Sequence, residues 1–240
     1  MTTQLSSSMR TRIKICGLTR EADVDAAVAA GADAIGFVLY EKSPRHVPIH
    51  RAAELARRLP PFVTPVLLFV NAPLDEVVAA VALVGQALLQ FHGDETPEQC
   101  LDTARAAGSA YIKAARIPLG EAKARFDLVE YAAQYRSAQA ILLDAFVEGY
   151  GGGGKTFNWS LLPPNVNCHL VLSGGLNAAN VTDGILQLRP RCKTLAVDVS
   201  SGVEMSRGIK DATLIHQFVA AARAADRQLA DLFHVPIPAT

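Results

Sequence analysis

Short apolar runs alternate along this chain with stretches whose apolar residues recur at helical spacing, from one end to the other. RIKIC (12–16) is a β-rich run ending at Gly17, and EADVDAAVAAG (21–31) is an Ala-rich helical stretch that stops at Gly31, a common helix terminator. DAIGFVLY (33–40) is the next apolar run. Residues 50–59 place Ala53, Leu55, Ala56 and Leu59 on one helical face, and Pro60 and Pro61 end it. TPVLLFVN (64–71) reads as a buried strand and LDEVVAAVALV (74–84) as a helix before Gly85.

The rhythm continues with a strand over 86–93 and a helix over 96–108, where Thr96 is the expected N-cap and Pro97 the first helical residue. A strand over 109–115, a helix over 119–135 and a strand over 138–146 ending in a carboxylate follow. After a Gly-rich loop comes the short segment 158–162, then a strand over 168–176, a helix over 177–188, a strand and loop over 193–202 and a last helix over 211–225. Near-continuous apolar strands separated by helices imply a parallel sheet covered by helices. Eight such units in 240 residues predict a single-domain (β/α)8 barrel, for which about 250 residues is typical, rather than an open doubly wound sheet. No linker-like stretch divides the chain. Residues 12–225 are expected to form the barrel, with a mobile polar extension at 1–11 and an outlying Pro-rich tail at 226–240.

Composition narrows the partners. Lys plus Arg equals Asp plus Glu at 23 each, so no broad field favours nucleic acid or an anionic membrane. Half the residues are hydrophobic, enough for a large core, yet no run reaches the ~18 apolar residues needed to span a bilayer. The start has no signal-like apolar stretch, and Cys16, Cys100, Cys168 and Cys192 are too scattered for a C-x-x-C pair. A cytoplasmic protein with reduced thiols is expected.

In such a barrel, functional groups gather at the C-terminal ends of the strands. The unusual residues there are Cys16, Arg45, His92, Asp144, the 151–154 glycine run, 173–175 and 198–202. SGGL after strand seven and DVSSGVE after strand eight are consecutive small-residue loops, the usual place of a phosphate cradle. Glycines admit an anion close to the backbone, and helix-start N–H groups carry partial positive charge. The candidate donors lie at Gly174, Gly175, Ser200, Ser201 and Gly202. Cys16 and Asp144 end strands on opposite sides of the mouth. A thiolate can act as a general base in a positive environment, and a carboxyl that keeps its proton can act as an acid. Taken singly, Cys16 reads rather as a small buried hydrophobe and Asp144 as a helix or loop cap. Arg45, between Pro44 and Pro48, can grip a carboxylate through paired hydrogen bonds or can be a solvated surface group. His92 is either a polar wall of the site or a satisfied barrel-end histidine. Gly154-Lys155-Thr156 matches only the end of a nucleotide-binding P-loop, so the 151–154 run reads instead as an active-site loop.

The blocks KICGLT (14–19), GADAIGFVLYEKSPR (31–45), FVN (69–71), QFHGDE (90–95), LLDA (142–145), GGGGKTFNW (151–159), LSGGLNAANV (172–181) and DVSSGVE (198–204) occur in an order that resembles the phosphoribosylanthranilate isomerase family. The resemblance runs from about residue 12 to about residue 225. It implies a TIM barrel that converts N-(5-phospho-β-D-ribosyl)anthranilate to 1-(2-carboxyphenylamino)-1-deoxy-D-ribulose 5-phosphate in tryptophan biosynthesis, as monomer or homodimer, without cofactor or metal. It implies Cys16 as general base, Asp144 as general acid, Arg45 on the anthranilate carboxylate, and the phosphate in the two loops already singled out; His92 and Asp198, from their strand-end places, are expected against the substrate. Asn158 stands where the family often has Asp, at no catalytic position. The rivals are a related aminoaldose-phosphate isomerase of histidine biosynthesis, for which a pair of aspartates is expected, an indole-glycerol-phosphate synthase, for which Lys and Glu are expected at strand ends, and a non-catalytic phosphate-binding barrel.

Overall fold

A computed structural model describes residues 10–118, 126–145, 159, 162–164 and 166–233. Eight parallel strands, β1 (Arg12–Cys16), β2 (Ala34–Val38), β3 (Thr64–Phe69), β4 (Leu88–Phe91), β5 (Tyr111–Ile117), β6 (Ala140–Ala145), β7 (Val166–Leu172) and β8 (Cys192–Val199), pair in sequence order. Pairing of β8 with β1, in which Lys14 faces Asp198, closes the sheet into a barrel. The helices α1 (Glu21–Ala30), α2 (Ile49–Ala56), α3 (Leu74–Val84), α4 (Pro97–Ala106), α5 (Leu128–Gln134), α6 (Val181–Leu188) and α7 (Ala212–Phe233) connect or follow the strands. This is the TIM-barrel architecture that the alternation predicts.

The period of two along each strand sorts the side chains into two cores. Ile13, Ile15, Phe37, Leu67, Phe69, Leu89, Leu143, Leu172 and Val197 face outward and merge with the helices into one large apolar cluster. The alternate positions fill the interior, with Ile112, Ala114, Leu142 and Val171 together in one cluster and Cys16, Val38, Leu68 and Val70 in another. The inward rows of β1 and β6 therefore end in Cys16 and Asp144.

Several boundaries differ from expectation. α2 stops at Ala56, four residues before Pro60, because Arg57 and Arg58 already form a turn. α4 has the expected cap, with the Thr96 side chain accepting from Gln99 N and the Gln99 side chain accepting from Thr96 N. The helix expected over 119–135 occupies Leu128–Gln134, capped by the Asp127 side chain, and 119–125 lie outside the described residues. The helix expected from 177 begins at Val181, after a turn. Most of the 158–162 segment and the whole 151–154 loop also lie outside the described residues.

Helix and hydrogen bonds also occur just outside the 12–225 span. α7 runs past 225 to Phe233, so the first part of the expected tail is helix. Thr11, placed in the mobile extension by its polar neighbours, is fully buried. Its N–H donates to both carboxylate oxygens of Asp226, at 3.1 and 3.0 Å, and its carbonyl accepts from Arg223 Nη1 at 2.7 Å. These bonds tie the entry of β1 to the last helix, a long-range pairing that local sequence pattern does not carry.

Candidate active site

All eight strands are parallel, so their C-terminal ends share one rim. Cys16 is the last residue of β1 and Asp144 the penultimate residue of β6, and both are buried. The thiol and the carboxyl thus share the same mouth. A Cβ built on Gly36, the β2 partner of Cys16, would lie 2.6 Å from the Cys16 sulfur, so only glycine leaves room for that thiol.

Asp144 is held by an imidazole. His92 Nε2 lies 3.1 Å from Asp144 Oδ2, and His92 Nδ1 lies 3.0 Å from Gln90 Nε2. An amide nitrogen only donates, so Nδ1 accepts and Nε2 carries the proton that points at Asp144. Gln90, His92 and Asp144 are all buried, and the Gln90 side-chain oxygen has no hydrogen-bond partner among the described residues. The turn that carries His92 is braced from behind. Glu95 accepts from Asn71 N at 2.7 Å, from Gly93 N and from the buried ammonium of Lys113 at 2.8 Å. Lys113 also donates to Gly93 O.

Arg45 is buried rather than solvated. Its Nε and Nη2 donate to Glu204 Oε1 and Oε2 at 2.7 and 2.8 Å, a bidentate pair. Glu204 comes from a small antiparallel hairpin, β9 (Glu204–Ser206) with β10 (Ile209–Lys210), that the sequence pattern did not announce. Lys210 joins the same carboxylate at 2.8 Å and donates to Ser200 O at 3.0 Å. Burial works against the Glu204 carboxylate, yet Arg45 and Lys210 outweigh it and lower its pKa. Burial lowers the pKa of Lys210, with Glu204 pulling the other way. A Cβ on Gly17 would lie 2.5 Å from Arg45 Cδ and 3.1 Å from Ser200 Oγ, so Arg45 lies directly over the residue that follows Cys16.

The two small-residue loops meet. Gly174 and Gly175 have φ of 78° and 65°, a backbone that L side chains rarely adopt. A Cβ on Gly202 would lie 1.9 Å from Leu176 O, so the loop after β8 packs against the loop after β7 with no space for a side chain. Asn180 ties off the β7 loop, accepting from Asn177 N at 2.9 Å and donating to Gly175 O at 3.0 Å. Ser200 precedes a single 3-10 turn over Ser201–Val203. A Cβ on Gly174 would meet Asp144 Oδ1 at 2.7 Å, which puts these loops beside the carboxyl group.

Asp198 is buried in the interior of β8, with both oxygens engaged: Oδ1 with Lys14 Nζ at 2.7 Å and Oδ2 with Ser173 Oγ at 2.9 Å. Lys14, Gln90, Glu204 and Lys210 are site residues that sequence reasoning missed. Lys14 and Gln90 were findable, since a lysine or glutamine in the middle of an apolar strand, two residues from a candidate, shares its face. Glu204 and Lys210 were not, because the hairpin that aims them carries no strong local pattern.

A closed barrel whose C-terminal rim gathers a thiol, a carboxyl–imidazole pair, a buried guanidinium and two glycine-bearing loops defines a (β/α)8-barrel enzyme. A family model described as N-(5'phosphoribosyl)anthranilate (PRA) isomerase matches residues 13–221. Proteins named N-(5'-phosphoribosyl)anthranilate isomerase from Methylibium petroleiphilum and Leptothrix cholodnii are 63% and 61% identical, over 92% and 94% of this chain and 98% and 96% of theirs. The phosphoribosyl anthranilate isomerase structure from Thermotoga maritima is 39% identical with a TM-score of 0.74, covering 89% of this chain and 99% of that one. A second solved isomerase, in complex with reduced 1-(o-carboxyphenylamino)-1-deoxyribulose 5-phosphate, is 36% identical with a TM-score of 0.72 over the same shares. The chain belongs to the N-(5'-phosphoribosyl)anthranilate isomerase family.

Proposed function

We propose that Cys16 as general base and Asp144 as general acid carry out the isomerisation of N-(5'-phosphoribosyl)anthranilate to 1-(2-carboxyphenylamino)-1-deoxyribulose 5-phosphate, a step of tryptophan biosynthesis. The observation that carries this reading is the meeting of the two groups on one rim in a chain of this family. Asp144 protonates the ribose ring oxygen as the anilino nitrogen opens the ring to a protonated Schiff base. The positive charge acidifies the neighbouring C2 proton, which the Cys16 thiolate removes to give an enolamine. Tautomerisation of the enolamine gives the ketone. His92 keeps the Asp144 carboxyl oriented through its Nε2 contact.

The backbone at Gly174, Gly175, Ser200, Ser201 and Gly202 is assigned to the phosphate. Arg45 is assigned to the anthranilate carboxylate, with Glu204 gripping one edge of its guanidinium and fixing it in place. Asp198 is assigned to the substrate as well, held in place by Lys14 on one oxygen and Ser173 on the other. Catalysis in the cytoplasm fits the four free thiols, the state a reducing compartment maintains. The enzyme acts as monomer or homodimer. A Thermotoga maritima relative is described as dimeric, and monomers of it were generated.

Loss of anthranilate fluorescence on turnover tests the assignment. Cys16→Ser and Asp144→Asn should each lower kcat by about 10²–10⁴-fold with a smaller change in KM. Near-normal turnover in either variant removes that residue from its role. Wild-type turnover of the histidine-pathway aminoaldose phosphate in place of this substrate overturns the substrate assignment, and phosphate binding without turnover leaves a binding protein.

A further inference from the structure

The proposed base lies in a place that opposes its charged form. Burial pushes the Cys16 thiol up, and the Asp198 carboxylate adds to that. A thiolate there needs a cation, and the structure supplies one directly beneath it. We propose that Lys14, anchored by Asp198, is the positioning residue that favours the thiolate of Cys16 when it forms and holds the sulfur aimed into the barrel mouth. The proposal deepens the reading of Cys16 as the base and rests on it.

Lys14 and Cys16 are two residues apart on β1 and so share the interior face. A Cβ placed on Gly36 would meet the Cys16 sulfur at 2.6 Å and Lys14 Cε at 3.1 Å, which brackets the sulfur and the carbon bearing the ammonium around one point. The ammonium is fixed by Asp198 Oδ1 at 2.7 Å, and Asp198 is fixed in turn by Ser173 Oγ at 2.9 Å. The chain Ser173–Asp198–Lys14 thus runs from the residue after β7 across β8 to β1 and ends beneath the thiol. Burial of the ammonium pulls the Lys14 pKa down, but Asp198 and Cys16 together raise it above the ordinary lysine value. Lys14 therefore stays charged throughout the working pH range.

The charge count makes the role specific. With Lys14 present, ionising Cys16 places two anions beside one cation. Without it, the thiolate and Asp198 would be adjacent buried anions, and the thiol would hold its proton more tightly still. Among the described residues, the titratable and charged groups around the mouth also include Lys210 and the Arg45–Glu204 pair on the hairpin side, Asp144 with His92 across it, and Arg116 with Asp94 at the end of β5. Lys210 also favours the thiolate. Lys14 donates no proton in the cycle. The sulfur takes the C2 proton and later releases it, while the ammonium remains intact beside it.

The test follows the ultraviolet absorbance of the thiolate through a pH titration of the full-length protein, with each variant read against its Cys16→Ser counterpart. Lys14→Met should move the Cys16 midpoint up by about one pH unit or more, tenfold or more in the ionisation constant, and the acid limb of kcat/KM should move with it. Lys14→Arg should keep the wild-type midpoint with reduced kcat. Asp198→Asn should move the midpoint the other way, downward, and it remains readable if Lys14→Met does not fold. An unmoved midpoint in folded Lys14→Met, or an upward shift in Asp198→Asn, overturns the proposal. Full turnover by Cys16→Ser instead sinks the base assignment while leaving the Lys14 titration result standing.

Discussion

The imidazole of His92 donates from Nε2 to Asp144 Oδ2 across 3.1 Å, with Gln90 fixing its tautomer from the other side. Orientation of this kind is worth much in catalysis, since a displacement of about 1 Å of a reacting group costs about 10²-fold. His92→Ala should therefore lower kcat by about 10²-fold with a modest change in KM. Gln90→Leu should do so more mildly, by releasing the imidazole to either tautomer. Steady-state kinetics decide the matter, and an unchanged kcat in His92→Ala would detach the imidazole from the Asp144 function.

The junction of the two small-residue loops leaves no room at Gly202, where a Cβ would sit 1.9 Å from Leu176 O. Gly202→Ala must push the loops apart. Overpacking of this sort costs about 1–3 kcal/mol. The expected result is a lower Tm together with a KM raised about tenfold or more, an energy on the scale of about 1.4 kcal/mol. If KM stays at the wild-type value while Tm falls, the loops matter for stability and not for phosphate.

Glu204 sits between Arg45 and Lys210, and those cations hold its pKa below the ordinary value of about 4.3. A folded pKa below the unfolded one means that the stabilisation is complete above the unfolded value and is lost as pH falls through the folded value. Wild-type stability should thus decline below about pH 4.3. Glu204→Gln removes one partner and leaves buried cations unpaired, so it should be less stable at neutral pH, with the gap to wild type closing as the pH is lowered. Urea unfolding of both proteins over an acid series measures this. A gap that stays constant with pH contradicts it.

We read the folded unit as extending beyond residue 225, through Asp226, which receives the Thr11 N–H and Arg189 Nη2. Asp226→Ala leaves the buried Thr11 amide without its acceptor, at a cost of about 1–3 kcal/mol. For a chain of this size that corresponds to a Tm drop of roughly 2–4 °C per kcal/mol. A truncation ending at residue 225 should lose at least as much. Wild-type melting by the truncated chain would restore 225 as the limit of the barrel.

The barrel was legible because its two periodicities are local. Residues 12–16, 64–71 and 74–84 announce β1, β3 and α3 almost to the residue, since burial on both faces demands apolar runs and helical burial demands spaced apolar positions. The boundaries that moved, at α2, α5, α6 and α7, are those where a turn, a side-chain cap or a contact with a distant strand sets the end. The candidate site was legible in part for the same reason. Cys16, His92, Asp144 and the loop glycines end strands, and strand ends converge in a parallel barrel. Arg45 was visible as a residue, but its state was not, because Glu204 reaches it from 159 positions away.

What the amino-acid order determined by itself is the alternation of strand and helix, hence the closed barrel, and the placing of a thiol, a carboxyl and two glycine-bearing turns at strand ends. These follow from short-range rules of periodicity and turn chemistry. Tertiary structure alone decided which polar groups meet: Lys14 with Asp198, Arg45 with Glu204, the Thr11 N–H with Asp226. Such pairs form between residues far apart in the chain, where only closure of the barrel brings them within hydrogen-bonding reach, and low-dielectric burial then makes each contact consequential.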